Sequence, residues 1–184
     1  MKRSFEVASL ALAAALALGA CGKAQEKAAE VATEKAIESA LSKDGTQAKV
    51  NLSEGGIKVA TTDASGKTSQ MELGNAKISE AEVGLPFYPG AQANEGSSMR
   101  IVNGNNTALQ VALHSDDSHD KVSAFYREKL KAMSQGKQLM EMSHNDGASM
   151  TLVDEQAKSS LQVNVSKAEN GSDIAITANR EGAK

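Results

Sequence analysis

Near its C-terminus the chain alternates with little ambiguity. Residues 159–179 read SSLQVNVSKAENGSDIAITAN, with apolar residues at every second position on both sides of Asn170-Gly171. Side chains of a strand point alternately to opposite faces, and Asn-Gly between two such runs is the strongest short-range hairpin signal. The reading is a hairpin on a two-residue type I′ turn, which pairs Val165 with Ile176 and Lys167 with Ile174. Val163, Val165, Ile174 and Ile176 then share a buried face, with Gln162, Asn164, Ala175 and Thr177 on the other.

The same grammar recurs upstream. Met99 and Ile101 alternate up to Asn103-Gly104, and Leu109, Val111 and Leu113 alternate on the return. Two more strands fit at about 137–144 and 148–153. Between the pairs, Val122, Phe125, Tyr126, Leu130 and Met133 fall on one face of a helix spanning about Ser118 to Ser134. Pro86 and Pro89 in VGLPFYPGA exclude a regular ladder or helix there, and Phe87 and Tyr88 are placed at one edge of the core. Farther upstream, Val50 and Leu52, Ile57 and Val59, and Met71 and Leu73 mark three short strands separated by glycine turns. Three short strands bury too little to stand alone, so this meander is expected to dock on the C-terminal strands. The fold class expected is α+β: an antiparallel sheet with one covering helix over 84–184, preceded by a small β-meander over 46–83 and an N-terminal helical tether over 21–45.

The first 20 residues are set aside from the fold. Lys2 and Arg3 precede an apolar run, Val7 to Leu18, which has the length of a signal-peptide core and is too short to span a bilayer. Leu18-Gly19-Ala20-Cys21 comes next, and Cys21 is the single cysteine of the chain. This stretch resembles the lipobox of bacterial lipoproteins. The resemblance implies cleavage before Cys21, a diacylglycerol on its thiol and a further acyl chain on the new amino terminus. Each buried methylene of such chains adds about 0.8 kcal/mol, and anchoring by more than one chain is stable. Gly22 and Lys23, with no aspartate after the cysteine, imply the outer membrane of a Gram-negative bacterium, with the chain facing the periplasm. A lipidated Cys21 leaves no thiol for a disulfide. The alanine-, glutamate- and lysine-rich stretch from Ala24 to Ser42 reads as a helix, a tether about 30 Å long by its rise per residue.

The succession LPFYPGA, a strand pair and DKVSAFYREKL, from Leu85 to Met133, resembles a domain of uncharacterised bacterial secreted proteins and lipoproteins. The resemblance brings a layout and no activity, and no functional residue is carried across.

Composition narrows the partners. Removal of residues 1–20 takes two of the 20 basic and one of the 23 acidic side chains, leaving 18 against 22 and a net charge of −4. No basic stripe exists, so nucleic acid is not expected as a partner. GKTS at 66–69 lacks the first glycine of a phosphate loop (Thr61 stands there) and no helix pattern comes after it, so nucleotide is not expected either. The expected partners are the membrane, through the anchor, and an unidentified envelope protein. No cofactor is expected beyond the covalent lipid on Cys21.

Two stretches carry candidate chemistry. HSDDSHD, residues 114–120, supplies aspartates and serines suited to a helix entrance. It also offers His114, Asp116, Asp117 and His119 as a binding loop or, if they converge, a metal site. MEMSH, residues 140–144, places Met140, Met142 and His144 on one side of a strand, a donor set suited to Cu(I). With a three-residue loop at Asn145-Asp146-Gly147 Met150 would join them; with a two-residue turn at Asp146-Gly147 it moves to the other face. Methionines at this spacing also serve as ordinary core filler. No G-x-S-x-G elbow or carboxylate frame is present. The function expected is therefore a non-enzymatic docking or binding module, or alternatively a carrier of copper or of a small apolar ligand.

Overall fold

The computed structural model describes residues 22–42, 45–53 and 55–182. Its strands are β1 (Gln47–Ser53), β2 (Gly56–Thr62), β3 (Thr68–Gly74), β4 (Gln92–Ala93), β5 (Ser98–Asn103), β6 (Asn106–Ser115), β7 (Gln138–His144), β8 (Gly147–Asp154), β9 (Ser159–Lys167) and β10 (Ser172–Glu181). The helices are α1 (Gly22–Leu41), α2 (Glu80–Val83) and α3 (His119–Ala132). All strands belong to one antiparallel sheet in the order β1-β2-β3-β5-β6-β10-β9-β8-β7, with β4 pairing the far end of β6.

The expected fold class is overturned by this sheet. The meander is no separate unit, because β3 pairs with β5 from Ser69↔Asn103 to Gly74↔Ser98. The chain is β-dominated, and no single helix covers the sheet. α3 rests mainly on β8, β9 and β10, while α2 leans on β10 and α1 lies along β1. The period-two pattern identified the strands correctly, but it carries no information on which edges of two hairpin sets meet.

One face of the sheet, the inner one, holds the core. Leu109, Val111 and Leu113 of β6, Ile174 and Ile176 of β10, and Val163 and Val165 of β9 are buried there in one core with Val122, Tyr126 and Leu130 of α3. Full burial of such side chains contributes about 1.5–3 kcal/mol each. The meander directs its apolar residues the other way. Val50↔Val59, Val59↔Met71 and Met71↔Ile101 form a strip across the outer face.

The terminal hairpin keeps the expected faces but not the expected register. Val165 pairs with Ile174, Val163 with Ile176 and Lys167 with Ser172. The connection thus takes four residues, 168–171, closed by Ala168 N–H donating to Gly171 O at 3.1 Å. A two-residue shift leaves every side chain on its face, so apolar alternation cannot detect it. Gly171 sits in this connection with φ +93°, and a Cβ there would lie 2.0 Å from the Ser115 carbonyl oxygen.

α1 is not a free-standing tether. The backbone N–H groups of Ala48, Val50 and Leu52 donate to Ser42 Oγ (3.0 Å), Glu38 Oε1 (2.8 Å) and Glu34 Oε1 (2.7 Å). One edge of the sheet is thereby satisfied by side chains of a helix rather than by a further strand. Replacing Glu34 and Glu38 together by alanine is predicted to cost about 1–3 kcal/mol. Hydrogen exchange at the Val50 and Leu52 amides should rise well before that of β6 or β10; unchanged exchange at β1 would refute the edge clamp.

Candidate functional site

Between the meander and β5 the chain leaves the sheet and folds back over its inner face. Ser79 opens α2 with a capping box: Glu82 N–H donates to Ser79 Oγ at 3.3 Å, and Ser79 N–H to Glu82 Oε2 at 2.9 Å. Gly84 stops the helix in the left-handed region at φ +79°.

Two arginines fix this segment to the sheet. Arg100 on β5 pairs through Nη1 with Glu82 Oε1, donates from Nη2 to the Lys77 carbonyl at 2.8 Å, and lies 3.6 Å from Glu72 Oε2 on β3. Arg180 on β10 donates to the Val83 carbonyl at 3.0 Å. The Arg100 guanidinium, followed by the Ser79 hydrogen bonds, holds the Glu82 carboxyl down at about 2, against an ordinary 4.5.

The aromatic segment after α2 is pinned in the same manner. Tyr88 N–H donates to the hydroxyl of fully buried Tyr126 at 2.9 Å, and Tyr88 Oη donates to Asp117 Oδ2 at 2.6 Å. Phe125 meets Tyr88 and Tyr126 edge-on, with centroids 5.2 and 5.1 Å apart. Burial pushes the Tyr126 hydroxyl well above the ordinary tyrosine range.

Held this way, residues 75–79, Phe87 and the turn at 93–96 wall a cavity of about 550 Å³ against Ser98 and Val111 of the sheet. Ala76 and Val111 are buried, Ile78 and Phe87 half-buried, and Lys77 and Glu95 belong to its charged lining. Small-molecule sites commonly enclose roughly 300–1,000 Å³ with apolar walls and few polar groups. On the outer face a second groove of about 590 Å³ runs over Ile101, Ala108 and Val153. Its lining includes Lys158 and Glu181, paired at 3.2 Å.

The stretch from His114 to Asp120 is taken up by separate contacts. His114 Nδ1 lies 2.9 Å from Asp173 Oδ1 and Nε2 3.9 Å from Asp116, and the Asp173 hydrogen bond holds the imidazole above its ordinary 6.5. His119 in the first turn of α3 reaches the Asn145 carbonyl at 3.1 Å. Asp117 is bonded to Lys121, at 2.8 Å, and to Tyr88, which together keep its carboxyl low. Ser118 occupies the N-cap position with extended backbone, yet its side chain makes no capping bond. The two histidines therefore serve different partners. Among the described residues, no three His, Cys, Asp or Glu side chains form a group able to hold a metal.

The MEMSH stretch forms β7 at the far edge of the sheet. Asn145-Asp146 is a two-residue turn, with His144↔Gly147 and Met142↔Ser149 in register. Met150 pairs with Glu141 and is buried on the inner face, so the four-ligand cluster does not form. The core-filler reading of the other two methionines fails as well, because Met140 and Met142 are 55% and 71% exposed. Cys21 lies outside the described residues.

Arg100 and Glu82 were not singled out by the sequence, and of the cavity lining only Phe87 and Val111 were, as core residues. Ser79-Ala-Glu-Glu82 carries the capping-box signature, but nothing in one sequence places Arg100 beside it, 18 residues away. Because Glu82 is held near 2, its contribution to stability is complete above 4.5 and is lost as pH falls from there through about 2. Urea unfolding between pH 7 and pH 2 should show a flatter acid limb for Glu82→Gln than for the native chain. Equal slopes would mean that the ion pair is not formed.

A family model described as START domain-like matches residues 96–179, from just before β5 to near the end of β10. The match covers under half of the chain and leaves α1, the meander and the α2 segment outside it. Neither the curated proteins nor the solved structures give a match.

Proposed function

We propose that this chain is a non-enzymatic binding module whose ligand is a small apolar molecule held in the cavity between residues 74–79, Phe87 and the turn at 93–96. The observation that carries the reading is the cavity itself: about 550 Å³, with Ala76, Ile78, Phe87, Ala93 and Val111 as apolar lining and a wall fixed by Arg100 and Tyr126. The START domain-like match over the adjoining strands supports a binding role. No patterned nucleophile or carboxylate pair lies in its lining, which favours binding over turnover.

The lipobox-like stretch at Leu18–Cys21 supports a lipid anchor, and with it a periplasmic face of the outer membrane as the working location. No described helix is long and apolar enough to cross a membrane. Docking on an envelope protein is the second reading. It is favoured by β7, which has β8 on one side and, among the described residues, no strand on the other, while the opposite edge is clamped by α1.

Ala93 is exposed and belongs to the cavity lining, so Ala93→Trp is expected to fill the space at a stability change within about 0.5 kcal/mol, typical of surface positions. Native mass spectrometry of protein extracted from membranes should show an added mass on the native chain that is absent from this variant. A native chain carrying nothing beyond its own lipid would turn the assignment toward docking.

A further inference from the structure

We propose that the outer face of the sheet, from β2 to β8, is an interface between two copies of this chain packed face to face. α2 and α3 contribute to the inner core and α1 packs on the edge strand β1, so the helices serve the other face and one edge. Strand register sets out the outer face in rows. One runs from Val59 through Met71, Ile101, Ala108 and Asn179 to Ser160. The next runs from Leu73 through Met99, Gln110, Thr177 and Gln162 to Thr151. Met140 and Met142 continue the face onto β7.

The meander is turned the wrong way round for a sheet that meets water on this side. A half-solvated antiparallel sheet directs apolar residues to the core and polar ones outward. Here Lys58, Glu72 and Arg100 stand on the inner face, joined by ion pairs at 3.2 and 3.6 Å, and the apolar residues stand on the outer one. Ile57 is 39% exposed, and Val59, Met71, Leu73, Met99 and Ile101 are half-buried. Contiguous apolar surface of this kind marks an interaction site. Its extent fits a second copy. Strands about 4.8 Å apart with same-face residues about 6.8 Å apart give each outer position about 33 Å². From β2 to β8 the face then spans about 700 Å², and two of them bury about 1,400 Å², within the roughly 1,200–2,000 Å² of a stable pair.

Charge selects the occupant. Charged residues make up 23% of the chain, and exposed surfaces commonly reach about 25–35%. Between the two ends of its strands, the outer face from β2 to β8 has no Lys, Arg, Asp or Glu. Asp173 and Glu181, at those ends, are paired with His114 at 2.9 Å and Lys158 at 3.2 Å. Amides and hydroxyls stand where charges would, among them Gln110, Asn164, Ser149 and Thr151. Such groups both donate and accept hydrogen bonds. Each is therefore complementary to its own copy, whereas a lysine or a glutamate repels its own copy. Surfaces that lie on a bilayer carry Lys and Arg with aromatic side chains, and this face has none of them, so a membrane is a poorer match than a second copy.

The test is sedimentation equilibrium of the full chain in a density-matched detergent. The native chain is expected to sediment as two copies. Gln110 and Thr177 face each other across β6 and β10 in the middle of the proposed interface. Gln110→Lys and Thr177→Lys are each expected to weaken self-association by about tenfold or more, because like charges are then brought together. Both variants should keep the native circular dichroism, and Asp120→Lys on the exposed start of α3 should leave the pair intact. A native chain that sediments as a single copy overturns the proposal, whether lipid or another protein covers the face in the cell. A pair that persists in both lysine variants overturns it too, and would place the contact elsewhere, the open edge of β7 included.

Discussion

Arg100 is the side chain on which the arrangement of this protein turns. It stands on β5, where the meander meets the remaining strands, and reaches Glu72 on β3, Glu82 of α2 and the carbonyl of Lys77. A guanidinium presents donors in a fixed fork and stays charged throughout the accessible pH range. It can therefore hold a strand neighbour, a helix and a backbone carbonyl at once. Arg180, the Tyr88–Tyr126 bond and the pairing of β4 with β6 tie other parts of the cavity wall to the sheet. The pairs are partly exposed, so their worth lies less in raw stability than in fixing where residues 75–84 lie.

The two edges of the sheet are handled in opposite ways. β1 has its free amides taken by Ser42, Glu38 and Glu34 of α1, an arrangement that also gives a purpose to glutamates placed four residues apart on a helix. Like charges at that spacing destabilise an isolated helix, but here each carboxylate accepts a backbone N–H of the adjacent strand. β7 receives no such cover and carries exposed methionines instead. An open edge is a liability unless it has a use, and the docking alternative draws on it.

Much of the strand layout was legible in the sequence, because alternation and glycine turns are local signals. Val122, Tyr126 and Leu130 were readable as the buried face of α3 for the same reason. The register of the last hairpin was not, since a shift by two residues preserves all faces and leaves the alternation unchanged. The joining of β3 to β5 and the docking of α1 were also hidden, because both rest on contacts between segments whose own patterns are complete. At the candidate sites, the sequence grouped His114 with His119 by proximity along the chain. Strand-to-helix geometry sends one to Asp173 and the other to Asn145. The cavity escaped notice because its walls are ordinary alanines, an isoleucine and a phenylalanine brought together by Arg100.

The space walled by residues 74–79, Phe87 and the turn at 93–96, and not the groove on the outer face, is where an apolar ligand is placed. The most direct measurement is paramagnetic relaxation from a nitroxide-labelled alkyl chain added to methyl-labelled protein. The account predicts saturable broadening of the Ile78, Ala93 and Val111 methyls, with Ile101 and Ala108 on the outer face spared. Broadening confined to Ile101 and Ala108, or no saturable broadening at either face, would contradict it.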